Sequence, residues 1–465
     1  MESISWWFWP LLLYSAGALA ALDALWQGRT SQGTTAWVLA LLLMPVLALP
    51  FYLFFGTRRF RGYRRARRSK DSLLGSTERQ LRRDLTLAET EHDRITLPLK
   101  RLFRVPMMEG NATELLINGA DTFNAILNHA RTARHTLCVQ FYTFRDDALG
   151  DCFADVLCDK ATEGVRVYLL YDEIGSAGID DAYLNRLKAA GVEVSRFNPL
   201  KLRNRTQLNF RNHRKLVVVD GHTTFVGGHN VGIEYLGKDP EFGHWRDTHM
   251  RLSGPASLAF QLSFSEDWLW ATGREPELLW DAPAIAGDQR IMCINSGPAD
   301  DYESASLFFT HMINSATERC WLVSPYFVPD QAVFTALQLA GLRGVDVRVI
   351  LPATSDNWMV TQATRSYVAS LEKAQVQFYT YLPGFLHQKV MLVDDEWACV
   401  GSANLDNRSL RINFEIGALV QNTSFAAQIE RMLRDDLAQC EPTYVDDRWW
   451  KQLVARLLRL MAPVL

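Results

Sequence analysis

The sequence predicts an α/β protein of two duplicated lobes, each a mixed sheet flanked by helices, packed as a pseudo-dimer and preceded by two N-terminal transmembrane helices. Three observations predict it. Two uncharged apolar stretches near the N terminus are followed by a basic run. Downstream, short β-branched runs alternate with helix-like ones, the pattern of a layered α/β architecture, and the series occurs twice. Each copy then carries the same His-x-Lys motif with the same Asp, Gly and Asn after it. At 465 residues the chain is long enough for more than one packed core. The expected division is 1–70 for the spans and basic segment, 71–105 for a connector, 106–285 for the first lobe and 286–465 for the second.

The first span is read from Trp6 to Leu22 (WWFWPLLLYSAGALAAL) and the second from Thr35 to Phe55. Each approaches the ~20 apolar residues that a helix needs to cross a bilayer, and the leading Trp residues suit an interfacial belt. The leader MESIS has no Lys or Arg, so a cleaved signal peptide is not expected. Asp23 is read as interfacial. From Arg58 to Lys70 the chain is basic with no acidic residue, so the net charge of −3 hides an acidic excess elsewhere. That run belongs on the cytoplasmic side, against anionic lipid. Two spans then return the N terminus to the cytoplasm, and everything beyond residue 70 is expected there too.

A polar, helical connector is expected from Asp71 to Arg94. In the first copy, TLCVQFYTF, GVRVYLLYD and KLVVVD read as strands; in the second, RCWLVSPYFVPD, GVDVRVILP and KVMLVD repeat them. The anchors align as Tyr142 with Tyr326, Asp146 with Asp330, Gly164-Val165 with Gly344-Val345, and His213 with His387. Such a duplication packs as a pseudo-twofold pair. The seven cysteines are scattered, mostly in apolar runs and without ligand spacing, as expected of buried reduced thiols.

The chemistry lies in HRKLVVVDGHTTFVGGHN and HQKVMLVDDEWACVGSAN. These place His213, Lys215, Asp220 and Asn230 opposite His387, Lys389, Asp394 and Asn404, at identical spacing. On a strand, residues two apart share a face, so each half offers an imidazole beside an ammonium. One such pair is usually an exposed strand edge without chemistry; two in matched repeats point to a site. Brought together, they suit a phosphodiester: one imidazole attacks phosphorus, the other protonates the leaving oxygen, and the lysines hold the developing charge. Asn230, Ser402 and Asn404 are expected to bond the phosphoryl oxygens. Asp247 and Glu415 are candidates to orient the histidines, as a carboxylate does in a catalytic triad. Asp220 and Asp394, each ending a strand before a turn, read as mostly architectural. The other histidines have no duplicated partner, and no carboxylate and histidine cluster has metal-ligand spacing.

These residues resemble the phospholipase D superfamily, and within it the bacterial cardiolipin synthases. FYTFRDDALGD, LLYDEIGSAG, LNFRNHRKLVVVDG, SPYFVPD and above all VGSANLDNRSLRINFE carry the resemblance, together with the two spans followed by FFGTRR. It covers essentially the whole chain. One departure is His229 in GGHNVGIEY, at a position expected to be apolar. The resemblance implies two phospholipase D-type lobes with one active site between them, working through a phosphohistidine without metal, nucleotide or redox cofactor. Residue by residue, it assigns His213, Lys215 and Asp220 to the first motif and His387, Lys389 and Asp394 to the second. His213 then becomes the nucleophile and His387 the acid and base, with Asp247 and Glu415 orienting them. The implied reaction converts two phosphatidylglycerols into cardiolipin and glycerol at the bacterial inner membrane.

Two other outcomes share this chemistry: hydrolysis by water, and transfer to another acceptor such as phosphatidylethanolamine. A nuclease would show a basic face, which an acidic body lacks, so no nucleic-acid partner is expected. A non-catalytic scaffold would be expected to have lost a histidine or lysine. No motif speaks to an oligomer. The C-terminal RWWKQLVARLLRLMAPVL is an amphipathic helix pattern with Trp449, Leu453, Leu457 and Leu460 on one side, either packed on the domain or lying on the membrane surface.

Overall fold

The computed structural model describes residues 5–28, 31–56, 63, 94–197, 209–283, 285–355, 357–444 and 448–459. Most of the basic run and the expected connector from Asp71 to Arg94 lie outside the described residues.

At the N terminus, Ser5–Gln27 is one helix, and Phe8–Trp26 is long and apolar enough to cross a membrane. The second apolar stretch is not one helix. It forms Ser31–Leu43 and Pro45–Phe51, continuing into a π-turn at Tyr52–Gly56. The break falls at Met44, because Pro45 has no N–H and pushes its predecessor out of the helical region. The helices pack through Ala21, Ala24, Leu41, Ala48 and Tyr52. Asp23 accepts a hydrogen bond from the Tyr52 hydroxyl at 2.8 Å, which explains a carboxylate inside an apolar helix.

Beyond residue 94 the expected duplication appears as one continuous mixed sheet. In the first half, strands run outward from Met108–Ile117 through Thr248–Ser253, Thr223–Gly227, Leu216–Val219, Thr136–Phe141 and Arg166–Asp172 to Glu193–Phe197. In the second half, Gln289–Ser296, Glu415–Gln421, Trp397–Gly401, Val390–Val393, Arg319–Val323, Asp346–Pro352 and Gln377–Tyr381 take the same order. Cys440–Pro442 adds an edge strand. The halves join where Met108 pairs with Ile291 and Asn111 with Gln289, across a register shift.

Strand alternation explains the layers. Leu216 and Val218 point into a core shared with Val390, Leu392, Ala398 and Val400 of the other half. Val217 and Val219 point outward, onto the helices of the first half, and the second half buries its own outer core in the same way. The helix Thr96–Phe103, at the end of the expected connector, buries Leu99 and Phe103 in that second outer core. The helix starts bring one correction to the repeat. Asp330 caps Gln331–Leu342, but its counterpart capping Ala148–Thr162 is Asp147, so the halves are offset by one residue there. Asp146 instead accepts the backbone N–H of Asp180 at 2.8 Å.

Candidate active site

The two His-x-Lys segments meet where the halves face each other, and the carboxylates that hold them are exchanged. His213 Nδ1 lies 2.9 Å from Glu415 of the second lobe, and His387 Nδ1 lies 2.7 Å from Asp247 of the first. The backbone makes the same exchange. The His213 N–H donates to the Phe414 carbonyl at 2.9 Å, and the His387 N–H donates to the Arg246 carbonyl at 2.8 Å. Each motif is therefore stitched to the residue preceding the opposite lobe's carboxylate. Glu415 and Asp247 sit at equivalent places, at or just before the start of strands that flank the junction.

The lysines fold back in the same way. Lys215 Nζ donates to the His213 carbonyl at 2.7 Å, and Lys389 Nζ donates to the His387 carbonyl. All four side chains are buried or nearly so. Burial pushes the His213 imidazole down to about 4, with Lys215 and Lys389 adding to the effect and Glu415 opposing it. Burial and the same two lysines also hold His387 well below the usual range. Lys215 falls to about 7, chiefly through burial, with Lys389 adding to it. Burial alone would raise Glu415, but His213, Lys215 and Ser402 outweigh it and keep it ionised. Burial thus disfavours charge on both imidazoles and on Lys215 beside Lys389, and an anion placed between them would offset that cost. With each Nδ1 committed to a carboxylate, each Nε2 is left for chemistry.

The ring environments differ. His213 meets Tyr142 edge-on at 5.1 Å, whereas His387 sits among Trp245, Phe385 and Tyr235. The carboxylate supports differ too. Glu415 accepts from the Ser402 hydroxyl at 2.5 Å and from Asn413 at 3.1 Å. At the position matching Ser402 stands Gly228, where an added Cβ would lie 2.1 Å from Asp247. The difference between GS and GG in the motifs is thus a difference in how each carboxylate is packed.

The residues expected to bond the phosphoryl oxygens have these partners within the protein. Ser402 is fully buried and donates its hydroxyl to Glu415. Asn230 accepts from the Thr143 N–H at 3.1 Å and donates to the Tyr235 hydroxyl at 2.9 Å. Asn404 bonds Asp406, and its amide oxygen has no partner among the described residues. Asp220 and Asp394, grouped by the motif with the catalytic residues, lie at the far ends of their strands. Asp220 accepts the backbone N–H groups of Arg134, His135 and Thr136, and Asp394 accepts those of Thr317, Glu318 and Arg319. Both adopt φ of 51°, turning the chain after the strand.

A supporting layer was not evident from the motifs. The middle residue of each His-x-Lys is tied to an aspartate on the helix that closes its lobe. Arg214 donates to Asp267 at 2.6 Å, and Gln388 donates to Asp436 at 2.8 Å. Asp267 also accepts from Gln140, Asn212 and Tyr63, and Asp436 also holds Arg246 through two bonds of 2.7 and 2.8 Å. Each aspartate lies in an ordinary helical sequence whose only signal is a charge at a buried position. His229, the departure from the family pattern, is buried 5.5 Å from the His249 ring, its ring nitrogens without hydrogen-bond partners among the described residues, and burial lowers it to about 3.

The family described as "Cardiolipin synthase, PLD-like domain" matches residues 126–268 and 309–437, and "Phospholipase_D-nuclease N-terminal" matches 18–56. The chain is 45% identical to cardiolipin synthase A of Pseudomonas putida strain GB-1, over 98% of this chain and 97% of that protein. It is 44% identical to the Pseudomonas fluorescens SBW25 protein of the same name, over 97% of each. Among solved structures, phosphatidylserine synthase of Haemophilus influenzae Rd KW20 superposes with a TM-score of 0.62 at 15% identity, covering 80% of this chain and all of that one. That likeness concerns the fold. The matched family model and the near full-length identity together place the chain in the phospholipase D-like cardiolipin synthase family.

Proposed function

We propose that this protein is a phosphatidyltransferase that makes cardiolipin from two phosphatidylglycerols. The observation that carries the reading is the crossed pair: two imidazoles, each backed by the other lobe's carboxylate, around one cationic site. In the first half-reaction, Nε2 of His213 attacks the phosphorus of one lipid. The glycerol oxygen leaves with a proton from His387, and a phosphatidyl-histidine remains. The anionic phosphodiester between the rings raises the proton affinity of His387, which supplies that proton. Lys215 and Lys389 stabilise the charge on the phosphoryl oxygens. In the second half-reaction, His387 takes the proton from the terminal hydroxyl of another phosphatidylglycerol. The resulting oxygen attacks phosphorus, cardiolipin leaves, and His213 is restored. Asp247 and Glu415 fix the tautomers throughout. No step in this route calls on a metal, nucleotide or redox cofactor.

The same reading puts the substrates in a membrane leaflet. The apolar helix Phe8–Trp26, the second apolar stretch and the basic run support two spans, with the catalytic lobes on the cytoplasmic side of a bacterial inner membrane. The domain limits at 70, 105 and 285 are retained as proposed boundaries. The test is lipid mass spectrometry on the purified chain in liposomes of phosphatidylglycerol alone, beside His213→Ala. Cardiolipin and free glycerol, absent from the variant, are expected. Phosphatidic acid without cardiolipin would make the enzyme a hydrolase instead.

A further inference from the structure

On the second lobe, away from the paired histidines, a cleft of about 840 Å³ lies between the helices Trp358–Leu371 and Trp449–Arg459. Cations line both walls: Arg365 and Lys373 on one side, Lys451, Arg456 and Arg459 on the other. Among the described residues, Glu372 is the only carboxylate lining it. Arg365 donates to Gln362 at 2.9 Å, and Arg459 stacks on Tyr367 at 4.3 Å. Arg365, Lys373 and Arg456 have no carboxylate partner among the described residues. Walls of like charge repel each other across such a gap, and an anion between them removes that cost.

The C-terminal helix also carries an adjoining apolar stripe. Trp449, Leu453 and Leu457 recur every fourth residue, with Trp450 beside them, and all four are exposed, Trp449 by 75%. Trp358 and Met359 at the start of the facing helix are exposed as well. A helix with cations on one face and Trp and Leu on the next is built to lie in a membrane interface. Free phosphate would use the cations and leave the stripe in water, whereas a lipid uses both.

We infer that this cleft binds the phosphate headgroup of an anionic phospholipid at a site separate from the catalytic one, while the Trp449–Leu457 stripe enters the same membrane surface. The inference does not rest on the catalytic reading, because it concerns binding without turnover. Its test is native mass spectrometry of the full chain in a zwitterionic detergent with dioleoyl phosphatidic acid, which has no headgroup left to transfer. Lys215→Ala is measured in parallel to weaken the catalytic site. The parent and Lys215→Ala should both retain the lipid, and Arg365→Glu/Arg456→Glu should retain it about ten-fold less well. Lys373→Glu, at an exposed position, should weaken it in the same direction, so a folding defect in the double variant does not decide the matter. Inorganic phosphate at equal concentration should not displace the lipid. Equal retention by the parent and the charge-reversed chains would overturn the inference. Complete loss in Lys215→Ala alone, or displacement by inorganic phosphate, would overturn it too.

Discussion

At the residue scale, the candidate site was largely legible because its motif is repeated in the sequence. His213, Lys215, His387 and Lys389 stood out through matched spacing, and Asp247 and Glu415 through their place on the next strand-like segments. Which carboxylate serves which histidine was not legible, because the exchange depends on how the lobes face each other. The partner of Ser402 was not legible for a related reason: a hydroxyl beside a phosphate motif reads as a phosphate ligand, and only the fold brings Glu415 to 2.5 Å from it. Ser402→Ala should therefore lower kcat about ten-fold with little change in KM, as loss of one hydrogen bond worth ~1.4 kcal/mol to an orienting carboxylate. A rise in KM at constant kcat would return Ser402 to the substrate. The pH profile of kcat/KM follows from the buried charges. His213, at about 4, becomes a protonated and useless nucleophile below that pH, and Lys215, at about 7, loses its charge above it. A bell with limbs near those values is expected, and Lys215→Arg should move the alkaline limb upward because a guanidinium stays charged. An alkaline limb unmoved in that variant would assign it to another group.

At the scale of elements, strand runs were readable from alternation, whereas the capping aspartate Asp147 lies one residue from the aligned anchor Asp146. The ties between elements were not readable. Asp267 and Asp436 sit in helices whose sequences give no motif, yet they anchor the loops that carry the histidines. Asp436→Ala leaves Arg246 buried without its partner, and breaking a buried ion pair costs about 3–5 kcal/mol. A large drop in thermal midpoint is expected, together with lost activity. A variant that melts like the parent would mean that water replaces the pair. Tyr63 extends the same network to the basic juxtamembrane segment, donating to Asp267 at 2.7 Å and packing on Phe414 beside Glu415. Tyr63→Phe should destabilise the body by about 1 kcal/mol, measured as a smaller shift in the same melts. The break at Met44 in the second apolar stretch is an element that hydropathy concealed, since Pro45 leaves the apolar pattern intact while ending the helix.

At the scale of the whole molecule, duplication dictated the architecture, and the sequence displayed it through its aligned anchors. What alignment could not convey is that both halves share one sheet through the Met108 and Ile291 pairing, and that their inner faces share one core. The candidate site is consequently a property of the pair of lobes: each histidine's carboxylate partner comes from the other half. The pseudo-twofold is imperfect where it matters, with Ser402 opposite Gly228 and an aromatic box around His387 alone, and this asymmetry suits two histidines with different tasks. His387→Ala, which removes the acid and base but not the nucleophile, should slow turnover about 10²–10⁴-fold. The most direct test of the two-lobe, covalent account is to mix the enzyme with radiolabelled phosphatidylglycerol, quench within one turnover under conditions that preserve phosphohistidine, and map the labelled peptide. The account predicts label on the peptide containing His213, none in His213→Ala, and label that persists longer in His387→Ala. Label on His387, or cardiolipin formed without any labelled histidine, would contradict it.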